Sequence, residues 1–218
     1  MTEVRIPAAD VTLPGTLTLP ETASAVVLFA HGSASGRQSP RNRQVAEVLH
    51  QAGIGTLLFD LLTEDESVDR KHVFDVHLLA QRLEHASRWI EVSASTRSLP
   101  RGYFGASTGA AAALIVGAAQ PHSVSAIVSR GGRPDLAGDA LGSVRAPTLL
   151  LVGAHDFPVL KINQAAAAQL RCTKRLTVIP GATHLFEEPG AMEEVARLAT
   201  DWFSAHLRRG GGVEAGFS

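Results

Sequence analysis

Apolar residues recur along this chain in two rhythms that alternate from end to end. Residues 25–30 (AVVLFA) and 54–59 (IGTLLF) are short runs almost free of polar side chains, and 99–104, 123–129, 148–152 and 176–179 repeat the pattern less cleanly. Runs of that length without alternation are expected of strands covered on both faces. Between them, apolar positions return every three or four residues. The sets are Val45, Val48, Leu49 and Ala52; then Val73, Val76, Ala80, Leu83, Ser87 and Ile90; and finally Met192, Val195, Leu198, Ala199, Trp202 and Phe203. This spacing predicts amphipathic helices. The first opens with Ser39 as cap and Pro40 in the first turn and closes at Gly53. Residues 110–119, rich in alanine, and 158–170, entered at Pro158, complete the helices. At the N-terminus, 4–6 and 11–19 alternate on either side of a proline-containing turn and predict an edge hairpin. The acidic stretch 61–71 reads as a mobile loop, and 130–144 as a glycine-rich connection with one short helix.

Strands alternating with helices predict an α/β fold, a mostly parallel twisted sheet with helices on both faces. The 218 residues suit a single domain over 1–208, and 209–218, with little to pack, is expected to be a disordered tail. Such sheets carry their chemistry beyond the carboxyl ends of the strands. That directs attention to loops at His31, Asp60, Ser107, Arg130, Asp156 and His184. A formal net charge of -1 gives no general attraction to nucleic acid or acidic membranes, so neither is expected as a partner, while a homo-oligomer stays open. The lone cysteine, Cys172, excludes an intramolecular disulfide and fits a reducing compartment. With an acidic, proline-containing start and no stretch of ~20 apolar residues, a cytoplasmic location is the expectation.

The chemistry centres on Gly105-Ala106-Ser107-Thr108-Gly109, a G-x-S-x-G motif between a predicted strand and a predicted helix. A serine on so sharp a turn needs small flanking residues, and the helix beginning at Thr108 offers free N–H groups where negative charge would develop in acyl transfer. A serine hydroxyl also needs a base and a group to orient that base. Gly153-Ala154-His155-Asp156 and Gly181-Ala182-Thr183-His184 each follow a predicted strand, giving the order Ser107, Asp156, His184. His155 is the rival base, but it stands one loop too early. Asp60 is the rival acid, and Asp156 has an alternative role as a helix cap ahead of Pro158. No metal-ligand spacing and no phosphate-binding glycine loop is present, so no cofactor or metal is expected.

These residues resemble the α/β-hydrolase superfamily, and within it the small serine esterases related to dienelactone hydrolase. The motifs HGSASG, GASTG, GAHD and GATH carry the likeness, which runs from the strand at 25–30 to the helix around Trp202. By that resemblance the oxyanion hole is formed by the N–H of Thr108 and the N–H of Ser33, with Ala34 as the alternative second donor, and His31 braces the loop. Dienelactone hydrolases proper carry cysteine at the elbow, whereas this chain has Ser107. The implied activity is therefore hydrolysis of carboxylic esters or lactones, with small or solvent-exposed acyl groups, through an acyl-enzyme. Only 130–147 separates two strands where many members insert a cap, so no cap domain and an open site are expected. Arg37 and Arg133 are candidates for contact with a substrate carboxylate. Alternatives with the same triad are an acyltransferase, a thioesterase or a perhydrolase; further off lies a non-catalytic binder of small molecules.

Overall fold

A computed structural model describes residues 1–33 and 35–207. The tail expected at 209–218 lies outside the described residues. Eight strands form one sheet, in the order β1-β2-β4-β3-β5-β6-β7-β8. β1 (Thr2–Ala8) and β2 (Val11–Thr18) are the expected hairpin, and β2 runs antiparallel to β4 (Ile54–Phe59). From β4 onward the pairs are parallel, through β3 (Ala25–Ala30), β5 (Arg101–Ala106), β6 (Ala126–Arg130), β7 (Thr148–Gly153) and β8 (Lys174–Ile179). Every residue of β3, β4, β5 and β7 is buried. That is why their sequences do not alternate. The edges differ: Glu3, Arg5 and Pro7 of β1 and Lys174 and Arg175 of β8 are exposed.

One face is covered by α1 (Pro40–Gln51) and α7 (Ala191–His206), which enclose a core of Val27, Phe29, Phe104, Val128, Leu49 and Phe203. The other carries α4 (Val76–Val92), α5 (Thr108–Ala119), a 3₁₀ segment (Pro134–Ser143) and α6 (Phe157–Gln169), over Leu28, Tyr103, Ile127 and Leu150. Nine residues of α5 are buried, so it has no polar face, and its alanines and glycines let it lie close on the sheet. Among the described residues, the 3₁₀ segment is the only helix between β6 and β7, and no separate cap domain is inserted.

The acidic stretch 61–71 is not the loop expected. It forms most of two short helices, α2 (Glu64–Ser67) and α3 (Arg70–Phe74). Thr63 and Glu66 make a reciprocal capping box, Asp69 accepts from Lys71 N, and Asp75 caps α4 by accepting from His77 N and Leu78 N at 3.1 and 3.0 Å. The acids thus serve as caps at helix N-termini, where their charge also opposes the helix dipole. Val73 accordingly belongs to α3 rather than to the long helix.

Candidate active site

Ser107 stands between β5 and α5 with φ 50° and ψ −120°, a left-handed conformation that a non-glycine residue adopts only under constraint. Its surroundings impose it. The peptide N–H donates to Arg130 O at 3.3 Å, while its carbonyl accepts from Ala110 N and Arg133 N at 3.1 Å each. A Cβ on Gly105 would lie 2.5 Å from Ala110 Cα, and one on Gly109 would run into the Ala30 carbonyl oxygen. A Cβ on Gly32 would lie 2.8 Å from Ser107 Cβ. The glycines of the elbow are therefore required by the close approach of α5 to β3 and β5, and Gly32 by the approach of the loop after β3.

Asp156 and His184 meet. His184 Nδ1 donates to Asp156 Oδ2 at 2.6 Å, and the carboxylate, whose side chain is 10% exposed, makes no cap bond to α6. The bond fixes the proton on Nδ1 and leaves Nε2 as the basic nitrogen. The two loops are held together by His155 N donating to Ala182 O at 2.9 Å, and a Cβ on Gly153 would run into the Ala182 carbonyl. The His184 imidazole lies over the end of β6, since a Cβ on Gly131 would come 3.5 Å from its Cε1. That strand neighbours β5, which delivers Ser107. Among the described residues no hydrogen bond joins Ser107 to His184. His155 is exposed and its ring faces Phe157 instead.

The loop after β3 is clamped at both ends by consecutive residues at the end of β4. Leu61 N donates to His31 Nε2 at 2.9 Å, so the ring proton sits on Nδ1 and is donated to Gly32 O at 2.9 Å. Because a trans peptide holds its carbonyl and N–H in opposite directions, tying down the Gly32 carbonyl turns the Ser33 N–H away from His31. Burial holds the His31 pKa below its ordinary value and keeps the ring neutral, as this arrangement needs. At the other end, Asp60 accepts from Arg37 N at 2.7 Å and pairs with Arg37 Nε at 3.2 Å. Gly36 is needed there, since a Cβ would lie 2.7 Å from Asp60 Oδ1. Asp60, the rival acid, is thus committed to this loop rather than to a histidine base.

Thr108, at the first turn of α5, is buried with its N–H at the helix N-terminus beside Ser107. Ala34 lies outside the described residues. The two candidate substrate arginines have carboxylate partners within the chain. Arg37 pairs with Asp60 and with Glu3 at 3.0 Å, and Arg133 with Asp135 through two bonds of 2.9 and 2.7 Å. That fork holds Asp135 below its usual carboxylate range. Sequence reasoning marked the loop at Arg130 but gave its side chain no role. Its guanidinium lies 5.8 Å from the Phe186 ring centre with a 3.9 Å contact to Met192 Sδ, and burial, then Arg41, lower its pKa to about 10. Among the described residues it has no carboxylate partner.

A parallel sheet with an antiparallel edge hairpin, a strained serine after β5 and an acid–histidine pair after β7 and β8 define an α/β-hydrolase fold. No family model matches the sequence. A solved dienelactone hydrolase from Anabaena variabilis is 54% identical and superimposes with a TM-score of 0.93 over 95% of this chain and 98% of its own. The chain belongs to the dienelactone hydrolase family. Est1E from Butyrivibrio proteoclasticus, at 15% identity, shares the fold with a TM-score of 0.79 over 93% of this chain and 98% of its own. A Mycobacterium tuberculosis protein named "Putative phosphoribosyl transferase" is 58% identical over 205 residues, 94% of this chain but 46% of that protein. The chain spans about half the length of that relative.

Proposed function

We propose that the chain is a serine hydrolase of carboxylic esters or lactones. His184 Nε2 takes the proton of Ser107 as Oγ attacks the carbonyl, Asp156 stabilises the imidazolium, and the N–H groups of Thr108 and Ser33 hold the oxyanion. The tetrahedral intermediate collapses to an acyl-enzyme, with the alcohol leaving on a proton from His184; water then releases the acid by the same steps. The observation carrying this reading is the 2.6 Å Asp156–His184 bond at the same sheet edge as a serine held at φ 50°. Approach of Ser107 to Nε2 on substrate binding is the step the unliganded geometry leaves to be made. Absence of a cap leaves the cleft open to a substrate with one part in solvent.

The transferase name belongs to proteins about twice as long as this chain. We assign that activity to the part of those relatives that this chain does not match, because the chain that matches the other part folds as an α/β-hydrolase.

The test is hydrolysis of p-nitrophenyl acetate together with labelling by a fluorophosphonate. Wild type should turn over and carry the label on Ser107. Ser107→Ala should abolish both, and Asp156→Asn should lower kcat by roughly 10⁴-fold, as loss of the orienting acid does in serine proteases. Ser107→Ala with undiminished turnover would overturn the proposal.

A further inference from the structure

A cleft of about 1020 Å³ opens beside the catalytic elbow, between the loop after β3, the start of α1 and the start of α2. Gly32 and Ser33 line it, and Gly32 also packs on Ser107, so one residue of the lining separates the cleft from the nucleophile. We propose that this cleft is the subsite for the acyl group, and that it takes hydroxylated acyl groups, those of sugar acids and related polyhydroxy acids. The proposal rests on the esterase reading above and names its substrate class.

Direction is set by the tetrahedral carbon. Its oxyanion must face Thr108 and Ser33, and its leaving oxygen must face His184, which gives that oxygen a proton. His184 comes from beyond β8, on the β6 side of Ser107, whereas the cleft lies on the β3 and β4 side. The remaining substituent, the acyl carbon chain, is therefore directed away from His184, and the proposal places it in the cleft along the loop after β3.

The lining decides the chemical class. Among the described residues three arginines, Arg5, Arg37 and Arg41, and three acids, Asp60, Glu64 and Asp65, line it, so the formal charges cancel; Arg37 pairs with Asp60 and Arg41 with Glu187 at 3.2 Å, which leaves Arg5, Glu64 and Asp65 to meet a ligand. A carboxylate or phosphate would meet as many acids as bases. A bare hydrocarbon would remove water from both without replacing their hydrogen bonds. A hydroxyl donates and accepts at once, and so can partner guanidinium and carboxylate alike. Hydroxyls of Thr12, Ser35 and Ser39 also line the cleft. That of Ser39 is not used to cap α1. Leu62, Val73 and Leu79 supply an apolar strip for the C–H face of such a chain.

The experiment compares methyl gluconate with methyl hexanoate, which share carbon number and leaving group, each enzymatic rate being divided by its hydroxide-catalysed rate. The gluconate should be favoured in kcat/KM by about ten-fold or more. Arg5→Met and Asp65→Asn, both at exposed positions outside the catalytic machinery, should each reduce that preference while leaving p-nitrophenyl acetate turnover unchanged. Active enzyme that prefers the hexanoate, or whose preference neither variant moves, overturns the subsite and leaves the esterase reading standing. Inactivity toward p-nitrophenyl acetate would remove that reading instead. Calorimetric binding of the uncharged D-gluconamide against hexanamide by Ser107→Ala then tests the cleft without turnover, and equal or reversed affinities overturn it.

Discussion

His31 offers the most informative single perturbation, because its two ring nitrogens connect two backbone segments and neither bond involves substrate. In His31→Ala both 2.9 Å hydrogen bonds disappear, and the N–H of Leu61, a fully buried residue, loses its acceptor. At about 1–3 kcal/mol for each of the two buried groups left unpaired, the loss of stability should be about 2–6 kcal/mol. A domain whose reserve lies above about 6 kcal/mol, within the typical range of about 5–15 kcal/mol, remains folded after such a loss. Complete loss of an oxyanion donor costs roughly 10²–10³-fold in kcat. A Gly32–Ser33 peptide that is slack rather than absent should cost part of that, about 10–100-fold, with KM for p-nitrophenyl acetate changed by less than about three-fold. The pH dependence supplies a second signature. The folded pKa of His31 lies below that of the unfolded chain, so the unfolded state binds more protons as pH falls. Stability from this group is complete above the ordinary histidine value of 6.5 and declines as pH falls below it. Urea denaturation followed by tryptophan fluorescence, from about pH 5 to pH 7.5, should show a shallower acid decline in the variant. A folded His31→Ala enzyme with wild-type kcat would refute the link between this ring and the oxyanion hole.

Two further outcomes concern the frame around the site. Gly109→Ala drives a methyl group into the Ala30 carbonyl and within 2.5 Å of the His31 carbonyl; at about 3 kcal/mol for backbone overpacking, the melting temperature should fall by about 6–12 °C, as measured by calorimetry. Tyr103, the only tyrosine, donates to Ser87 Oγ at 2.9 Å, and burial pushes its pKa up to about 12. Phenolate absorbance of the native protein should therefore stay low at pH 10, and the stability this group contributes should be lost as pH rises from about 10 through 12.

Much of this architecture is legible in the residues themselves. The strands 25–30 and 54–59 have the bounds expected, because six-residue apolar runs end at turn-forming residues on both sides. Those expected at 99–104 and 123–129 begin later, at Arg101 and Ala126, because Leu99 and Val124 are buried for packing without joining the ladder. Thr63-x-x-Glu66 is a local capping signal, hidden by the surrounding acids, and that is why α2 was readable in principle. The four motifs HGSASG, GASTG, GAHD and GATH mark the loops that carry Ser33, Ser107, Asp156 and His184, but not the ends of β4 and β6 that hold them. What they do not contain is partnership over distance. Arg37 and Asp60 are separated by 23 positions, and nothing local shows that each already occupies the other. Nor does any short pattern show that Arg130 lies beneath Phe186.

The two outermost strands have a consequence for how this molecule meets copies of itself. A strand with one open side is a template for addition of another chain, and exposed charge and proline are the usual deterrents. Glu3, Arg5 and Pro7 on one border, and Lys174 and Arg175 on the other, set those deterrents where the backbone has unsatisfied partners. Growth of the sheet into a filament is disfavoured at both margins.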